Sequence, residues 1–317
     1  MIYPKFLKNG SKIGICAPSS GVGDKIDEYE KSIGTLVKEG YLITETNSVR
    51  NNNIVSNTKD IRAKEFNELL INSEIDLVLI ARGGEFLYDS LELLKLEKIL
   101  DNNKWITGYS DPTSILFSIT TKYDVATIYG FNSTSYDLVD DCVKNNLEIL
   151  KGKIIKQNSY KEYVTYNEEV FPVKWNSNLN DFKLSGRIIG GCIEVLKDLV
   201  GTDFHDIKKF NSKYESDGII WYFDVYDMDS SEFYRTLLQF KYAGWFSNVK
   251  AILISRINEK KEYFMTYEEA IEEAFPGIPY ITDMCFGHTH PKMTIINGSI
   301  CNIDYKDNKG TIEFELR

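Results

Sequence analysis

The chain has 317 residues, enough for one large or two medium domains, and its 43% hydrophobic and 26% charged residues are ordinary for a soluble globular protein. A formal charge of −10 without any basic run argues against nucleic acid as a partner, since phosphate binding needs clustered Lys and Arg. No apolar run reaches the roughly 18 residues of a membrane span, the Met1–Gly10 stretch lacks the features of a secretion signal, and five scattered cysteines without C-x-x-C spacing suit reduced thiols in a cytoplasmic protein.

Lys12–Ala17 reads as a buried strand running into Pro18-Ser19-Ser20-Gly21-Val22-Gly23. Asp27–Glu39 has helical spacing through Ile33, Leu36 and Val37 and stops at Gly40. Strand Tyr41–Thr46, helix Thr58–Ile71, strand Ile75–Ala81, helix Leu87–Leu100, strand Trp105–Gly108, helix Asp111–Tyr123 and strand Val125–Tyr129 follow. Near-continuously apolar strands alternating with helices predict an α/β fold, a parallel sheet covered by helices on both faces. Functional residues in such sheets lie beyond the carboxyl ends of the strands, where Pro18-Ser19-Ser20, Arg82-Gly83-Gly84 and Tyr109-Ser110-Asp111 all fall. Gly21 and Gly23 begin a dinucleotide-type pattern, but its third glycine position is Ile26, so a nicotinamide cofactor is not expected.

Residues 1–150 are therefore expected as an N-terminal domain, 151–185 as an interdomain linker, and 186–317 as a C-terminal mixed α/β domain rich in β. The linker is polar and turn-rich around Lys156–Tyr160 and Asn176–Asn180, with Phe171 and Trp175 as isolated large apolar groups. Trp175 suits either a stacking surface for a ligand or an anchor for the linker itself. Beyond it come a helix through Val195 and Leu199, strand Gly218–Phe223 ending at Asp224, helix Ser230–Tyr242, strand Val249–Ile254, helix Tyr267–Phe275 and strand Pro279–Asp283. The tail predicts hairpin strands around the Asn297-Gly298 turn, with Thr311–Phe314 as a further strand.

Chemistry concentrates at few positions. Ser110 is pinned between a strand end and a helix start, with Asp111 suited to an N-cap and Pro112 to the first turn. A serine there sits beside backbone N–H groups without intrahelical partners, which suits a nucleophile and an oxyanion. The three histidines are His205, His288 and His290. His288 follows the apolar strand Pro279–Asp283, whereas His205 is expected in a surface loop. The His288-x-His290 spacing raises a metal site, but no carboxylate-rich motif adjoins it, and no metal is assigned. Asp224, at the end of an apolar strand, suits either a half-buried carboxylate orienting an imidazole or a simple cap. An α/β-hydrolase is disfavoured, because Pro112 stands where the G-x-S-x-G turn has its last glycine.

Ala17-Pro18-Ser19-Ser20, Ala81-Arg82-Gly83-Gly84, Gly108-Tyr109-Ser110-Asp111-Pro112-Thr113, Gly190-Gly191 with Gly201-Thr202, and Phe286-Gly287-His288-Thr289 together resemble the LD-carboxypeptidases in order and spacing. This family of serine peptidases includes muramoyltetrapeptide carboxypeptidases and microcin C immunity peptidases. The resemblance implies a Ser-Glu-His triad with Ser110 as nucleophile, His288 as general base and Asp224 in the glutamate's place, one methylene short. Cys192 stands where the family usually has asparagine. The resemblance also implies a small peptide or peptidyl-nucleotide substrate, hydrolysis without a cofactor, and a homodimer. The backbone N–H groups of Gly84 and Asp111 are the candidate oxyanion donors, Gly83 gives close approach, and Arg82 and Arg187 are candidates for the substrate carboxylate. The shorter acid also leaves open a catalytically impaired binding protein on the same scaffold.

Overall fold

The computed structural model describes residues 1–153, 156–165 and 167–317, and the chain divides into two units. The first comprises Met1–Ile154 with Thr294–Asn297, the second Ile155–Met293 with Gly298–Arg317.

In the first unit β1 (Lys12–Cys16), α1 (Ile26–Lys38), β2 (Leu42–Glu45), α2 (Lys59–Ile71), β3 (Leu77–Ile80), β4 (Trp105–Gly108), α3 (Thr113–Tyr123), β5 (Thr127–Tyr129) and α4 (Asp141–Leu150) follow in order. The strands pair in parallel in the order β5-β4-β3-β1-β2. Residues 77–80 and 105–108 are buried throughout, as a sheet covered on both faces requires. Helix α1 buries Tyr29, Ser32 and Leu36; of the expected stripe Leu36 is buried, Ile33 is half-buried and Val37 is exposed, and the Ser32 hydroxyl receives the N–H of Tyr136 at 3.0 Å. The expected helix 87–100 is instead two 3₁₀ turns, Tyr88–Leu93 and Leu96–Leu100. Asn67 of α2 makes the break, donating to the Leu93 carbonyl at 3.0 Å and accepting from the Lys95 N–H at 2.8 Å. Helix α4 was not foreseen; its Asp140 cap accepts from the N–H groups of Cys142 and Val143, both at 3.0 Å.

The second unit contains β6 (Lys156–Asn158), β7 (Glu162–Val164), β8 (Val170–Pro172), β9 (Asn176–Ser177), β10 (Phe182–Cys192), α5 (Ile193–Leu199), α6 (Ile207–Lys213), β11 (Ile219–Asp224), α7 (Ser230–Tyr242), β12 (Val249–Ser255), α8 (Tyr267–Ala274) and β13 (Tyr280–Met284). After β14 (Ile295–Asn297) come β15 (Ile300–Lys306) and β16 (Lys309–Glu315). Its main sheet runs β6-β16-β15-β10-β11-β12-β13-β9, with β10 to β13 parallel. The expected linker thus differs from the structure: β6 and β9 form the two edges of this sheet, and β7 pairs with β8. Their two- and three-residue lengths leave no periodicity to read. The N-termini of α7 and α8 are capped by Asp229 and by a Thr266–Glu269 capping box.

The expected hairpin at Asn297-Gly298 does not form. Strand β14 pairs antiparallel with β5 in the first sheet, while β15 pairs with β10 and β16 in the second. The hairpin turn falls at Asp307-Asn308, both left-handed with φ of 50° and 60°, as a type I′ turn requires. All five cysteines are buried. Among the described residues no helix is long and apolar enough to cross a membrane.

Candidate active site

In the first unit three loops leave the carboxyl ends of β1, β3 and β4. Ser110 follows β4 with φ of 72°, a conformation uncommon for any residue but glycine and concentrated at functional sites. Its N–H donates to the Tyr129 hydroxyl at 3.1 Å, and its carbonyl accepts the Thr113 N–H at 2.9 Å. Asn132 fixes the preceding residue, accepting from the Tyr109 N–H at 3.1 Å. A Cβ on Gly83 would stand 2.9 Å from Ser110 Cβ and 3.1 Å from Ser110 Oγ, so only glycine lets the β3 loop pass this close. A Cβ on Gly84 would meet the hydroxyls of Ser19 and Ser20, both at 2.4 Å. The N–H groups of Gly84 and Asp111 find no acceptor among the described residues, which leaves both able to receive an oxyanion.

Asp111 does not cap α3 with its side chain. Its buried carboxylate accepts from the Ser19 hydroxyl at 2.5 Å and the Leu87 N–H at 3.1 Å, joining all three loops. Burial pushes its carboxyl up to about 6, against the opposing pull of those two donors and the Arg62 charge. Arg62, fully buried on α2, braces the same loops by donating to the carbonyls of Pro18 and Phe86 at 2.7 and 2.6 Å. Sequence reasoning missed Arg62, although an arginine on the Ala63–Phe66 face of a helix was a readable signal.

In the second unit period-two alternation along β11 sorts its side chains onto two faces. Trp221 and Phe223 stack at 5.6 Å on the side of Phe240 and Trp245, forming the aromatic core. Tyr222 takes the other side, edge-on to Phe286 at 5.6 Å, and Asp224 shares that side with the 286–288 segment. His288 Nδ1 lies 2.8 Å from Asp224 Oδ2, and the His288 N–H donates to Asp224 Oδ1 at 3.3 Å. Asp224 is fully buried, while the His288 side chain is 14% exposed. Gly287, with φ of 76°, makes this possible: a Cβ there would fall 2.0 to 2.2 Å from the Asp224 carboxyl atoms. The shorter acid therefore reaches the imidazole at an ordinary hydrogen-bond distance. Asn258 donates to the His288 carbonyl at 2.8 Å, and the Tyr226 ring lies 4.4 Å from the imidazole. Neither Asn258 nor Tyr226 was singled out in the sequence.

Models of the LD-carboxypeptidase N-terminal and C-terminal domains match residues 13–130 and 185–303. The chain belongs to the LD-carboxypeptidase family. It is 26% identical to the microcin C7 self-immunity protein MccF of Escherichia coli over 312 residues, covering 89% of this chain and 85% of that protein. The fold is that of solved MccF structures, one in complex with aspartyl sulfamoyl adenosine, at a TM-score of 0.86 and 22% identity over 100% of this chain and 99% of that one. A muramoyltetrapeptide carboxypeptidase from Oxalobacter formigenes shares the fold at a TM-score of 0.76 and 20% identity, covering 96% and 99%.

The other site expectations of this LD-carboxypeptidase chain divide. Arg82 is partly exposed and pairs with Asp24 at 3.0 Å. Arg187 is buried and structural: it pairs with Asp217 at 2.7 Å, donates to the Gly298 carbonyl and lies 3.8 Å over the Tyr214 ring. Trp175 is fully buried and offers no face to a ligand. It anchors its segment, its carbonyl accepting from the Tyr305 hydroxyl and the Asn308 amide at 3.2 and 3.0 Å. His205 lies in a loop, as expected, but is half-buried there, edge-on to Trp245 at 4.6 Å. Cys192 pairs with Asp224 across β10 and β11, and its thiol donates to Glu194 Oε2 at 3.1 Å. Burial and the neighbouring carboxylates push that thiol well above its ordinary range, so it stays protonated.

Proposed function

We propose that this chain is a serine peptidase of the LD-carboxypeptidase type, acting in the cytoplasm as a homodimer. Ser110 Oγ attacks an amide carbonyl while His288 takes its proton; Asp224 holds Nδ1–H and stabilises the imidazolium. The tetrahedral oxyanion is received by the N–H groups of Gly84 and Asp111, each such donor lowering the barrier by about 3 kcal/mol. His288 returns its proton to the leaving amine, an acyl-enzyme remains on Ser110, and water activated by His288 releases the acid. The observation that carries the reading is a fully buried carboxylate 2.8 Å from Nδ1 of a partly exposed imidazole, in a chain of this family.

The substrate is a small amide with a free carboxylate near the scissile bond, either a muropeptide or a peptidyl-nucleotide, with Arg82 as the candidate cation. The aspartyl sulfamoyl adenosine held by MccF supports the second of these. The test treats the protein with a fluorophosphonate and maps the adduct. In parallel, mass spectrometry follows a muropeptide tetrapeptide and aspartyl sulfamoyl adenosine for cleavage. Labelling is expected at Ser110, abolished by Ser110→Ala and greatly slowed by His288→Ala. An unlabelled Ser110 with both probes intact would instead leave a binding protein on the peptidase scaffold.

A further inference from the structure

We propose that Glu194 and Tyr226 are positioning residues for His288: the Glu194 carboxylate fixes the turn after β11, and that turn holds the Tyr226 ring against the imidazole. The inference rests on His288 being the general base.

Glu194 Oε1 accepts from three consecutive backbone N–H groups, those of Tyr226, Asp227 and Met228, at 2.9, 3.0 and 3.2 Å. Its Oε2 accepts from the Cys192 thiol at 3.1 Å. Successive amides converging on one anion form a backbone nest, and hydrogen bonds to a charged acceptor are roughly twice as strong as neutral ones. The turn is therefore fixed by a single carboxylate on the neighbouring β10–α5 junction. From the far side the Tyr267 hydroxyl donates to the Met228 carbonyl at 2.7 Å.

Tyr226 is 54% exposed, yet its ring centroid stands 4.4 Å from that of His288 with the planes 38° apart. A ring this exposed keeps one place only if its backbone is held, because solvent-side freedom otherwise disperses it. Two restraints then act on the imidazole. Asp224 holds Nδ1, and the phenol ring covers one face, so turning about Cβ–Cγ breaks the first contact and drives the ring edge into the second. The π face also favours the imidazolium that forms as His288 takes a proton.

Three histidines in the chain make the test direct, since His288 is identifiable by NMR in ring-labelled protein through its loss in His288→Ala. The Tyr226 ring shifts His288 ring protons by its ring current, a readout that needs no substrate. Tyr226→Phe is expected to keep the shift and the turnover of whichever probe is cleaved. Tyr226→Leu should lose the shift and lower kcat about fivefold to tenfold, with KM within about twofold. Glu194→Ala should do the same through the loosened turn, and the milder Glu194→Gln reports should the alanine variant fail to fold. Folded Glu194 variants with wild-type shift and kcat would overturn the proposal, as would Tyr226→Leu at wild-type kcat. Should the ring-current pattern follow expectation while the wild type cleaves neither probe, the general-base reading falls and takes the positioning role with it.

Discussion

The Asp111 side chain serves the loops rather than the helix that follows it. Next to Ser110, it was expected to cap α3; its carboxylate instead joins the loops after β1 and β3 to the one that carries the serine. The cost is burial, which raises its carboxyl to about 6. A group protonated more readily in the folded chain than in the unfolded one adds stability that is complete below the unfolded value, about pH 4, and is lost as pH rises through 6. The loss is on the order of 3 kcal/mol, and groups elsewhere cancel when wild type is compared with Asp111→Asn. Urea unfolding of both proteins at pH 5 and pH 8 should show the wild-type advantage shrinking at the higher pH. An advantage that does not change between the two would rule out a raised carboxyl at 111.

At the scale of elements, the turn between β13 and His288 depends on Gly287. An alanine there suffers left-handed strain of about 1 kcal/mol or more, and its Cβ would fall on the Asp224 carboxyl. Gly287→Ala is expected to lower the melting temperature by several degrees and the turnover by at least about a hundredfold, more than the stability loss explains, because the imidazole loses its orienting acid. Thermal melts and steady-state rates on one preparation check both; full activity in Gly287→Ala would show that the Asp224 contact is dispensable. Ser110 and His288 were legible as chemistry-bearing positions that follow the strands Trp105–Gly108 and Pro279–Asp283, whereas Gly287 stood only inside the Phe286–Thr289 motif. Glu194 and Tyr226 were not, since the hydrogen bonds that join them run between backbone and side chain 32 residues apart in the chain. Likewise β6 to β9 could not be read: edge strands of two or three mostly exposed residues have neither the length nor the alternation that marks a strand. Trp175, an isolated aromatic in the sequence, was ambiguous because only the β15–β16 turn folded over it reveals which of its two readings holds.

For the whole molecule, the chain is not two domains in series. After building most of the second unit it returns β14 to the edge of the first sheet, pairing Ile295 to Tyr129, Ile296 to Ile128 and Asn297 to Thr127. Buried Asn146 fastens the same segment by donating to the Thr294 hydroxyl at 2.8 Å. A fragment ending at Lys153 leaves β5 as an uncovered edge, and such edges invite pairing with other chains. That fragment should self-associate in light scattering and exchange the amides of Thr127–Tyr129 rapidly; a monomer melting cooperatively at the temperature of the full chain would show that β14 is dispensable. Synthesis proceeds from the amino end, so a nascent chain that has already made Ser110 still lacks one border of the sheet that carries it. That border arrives only with residue 297, and until then the sheet that carries Ser110 stays incomplete while most of the second unit is made.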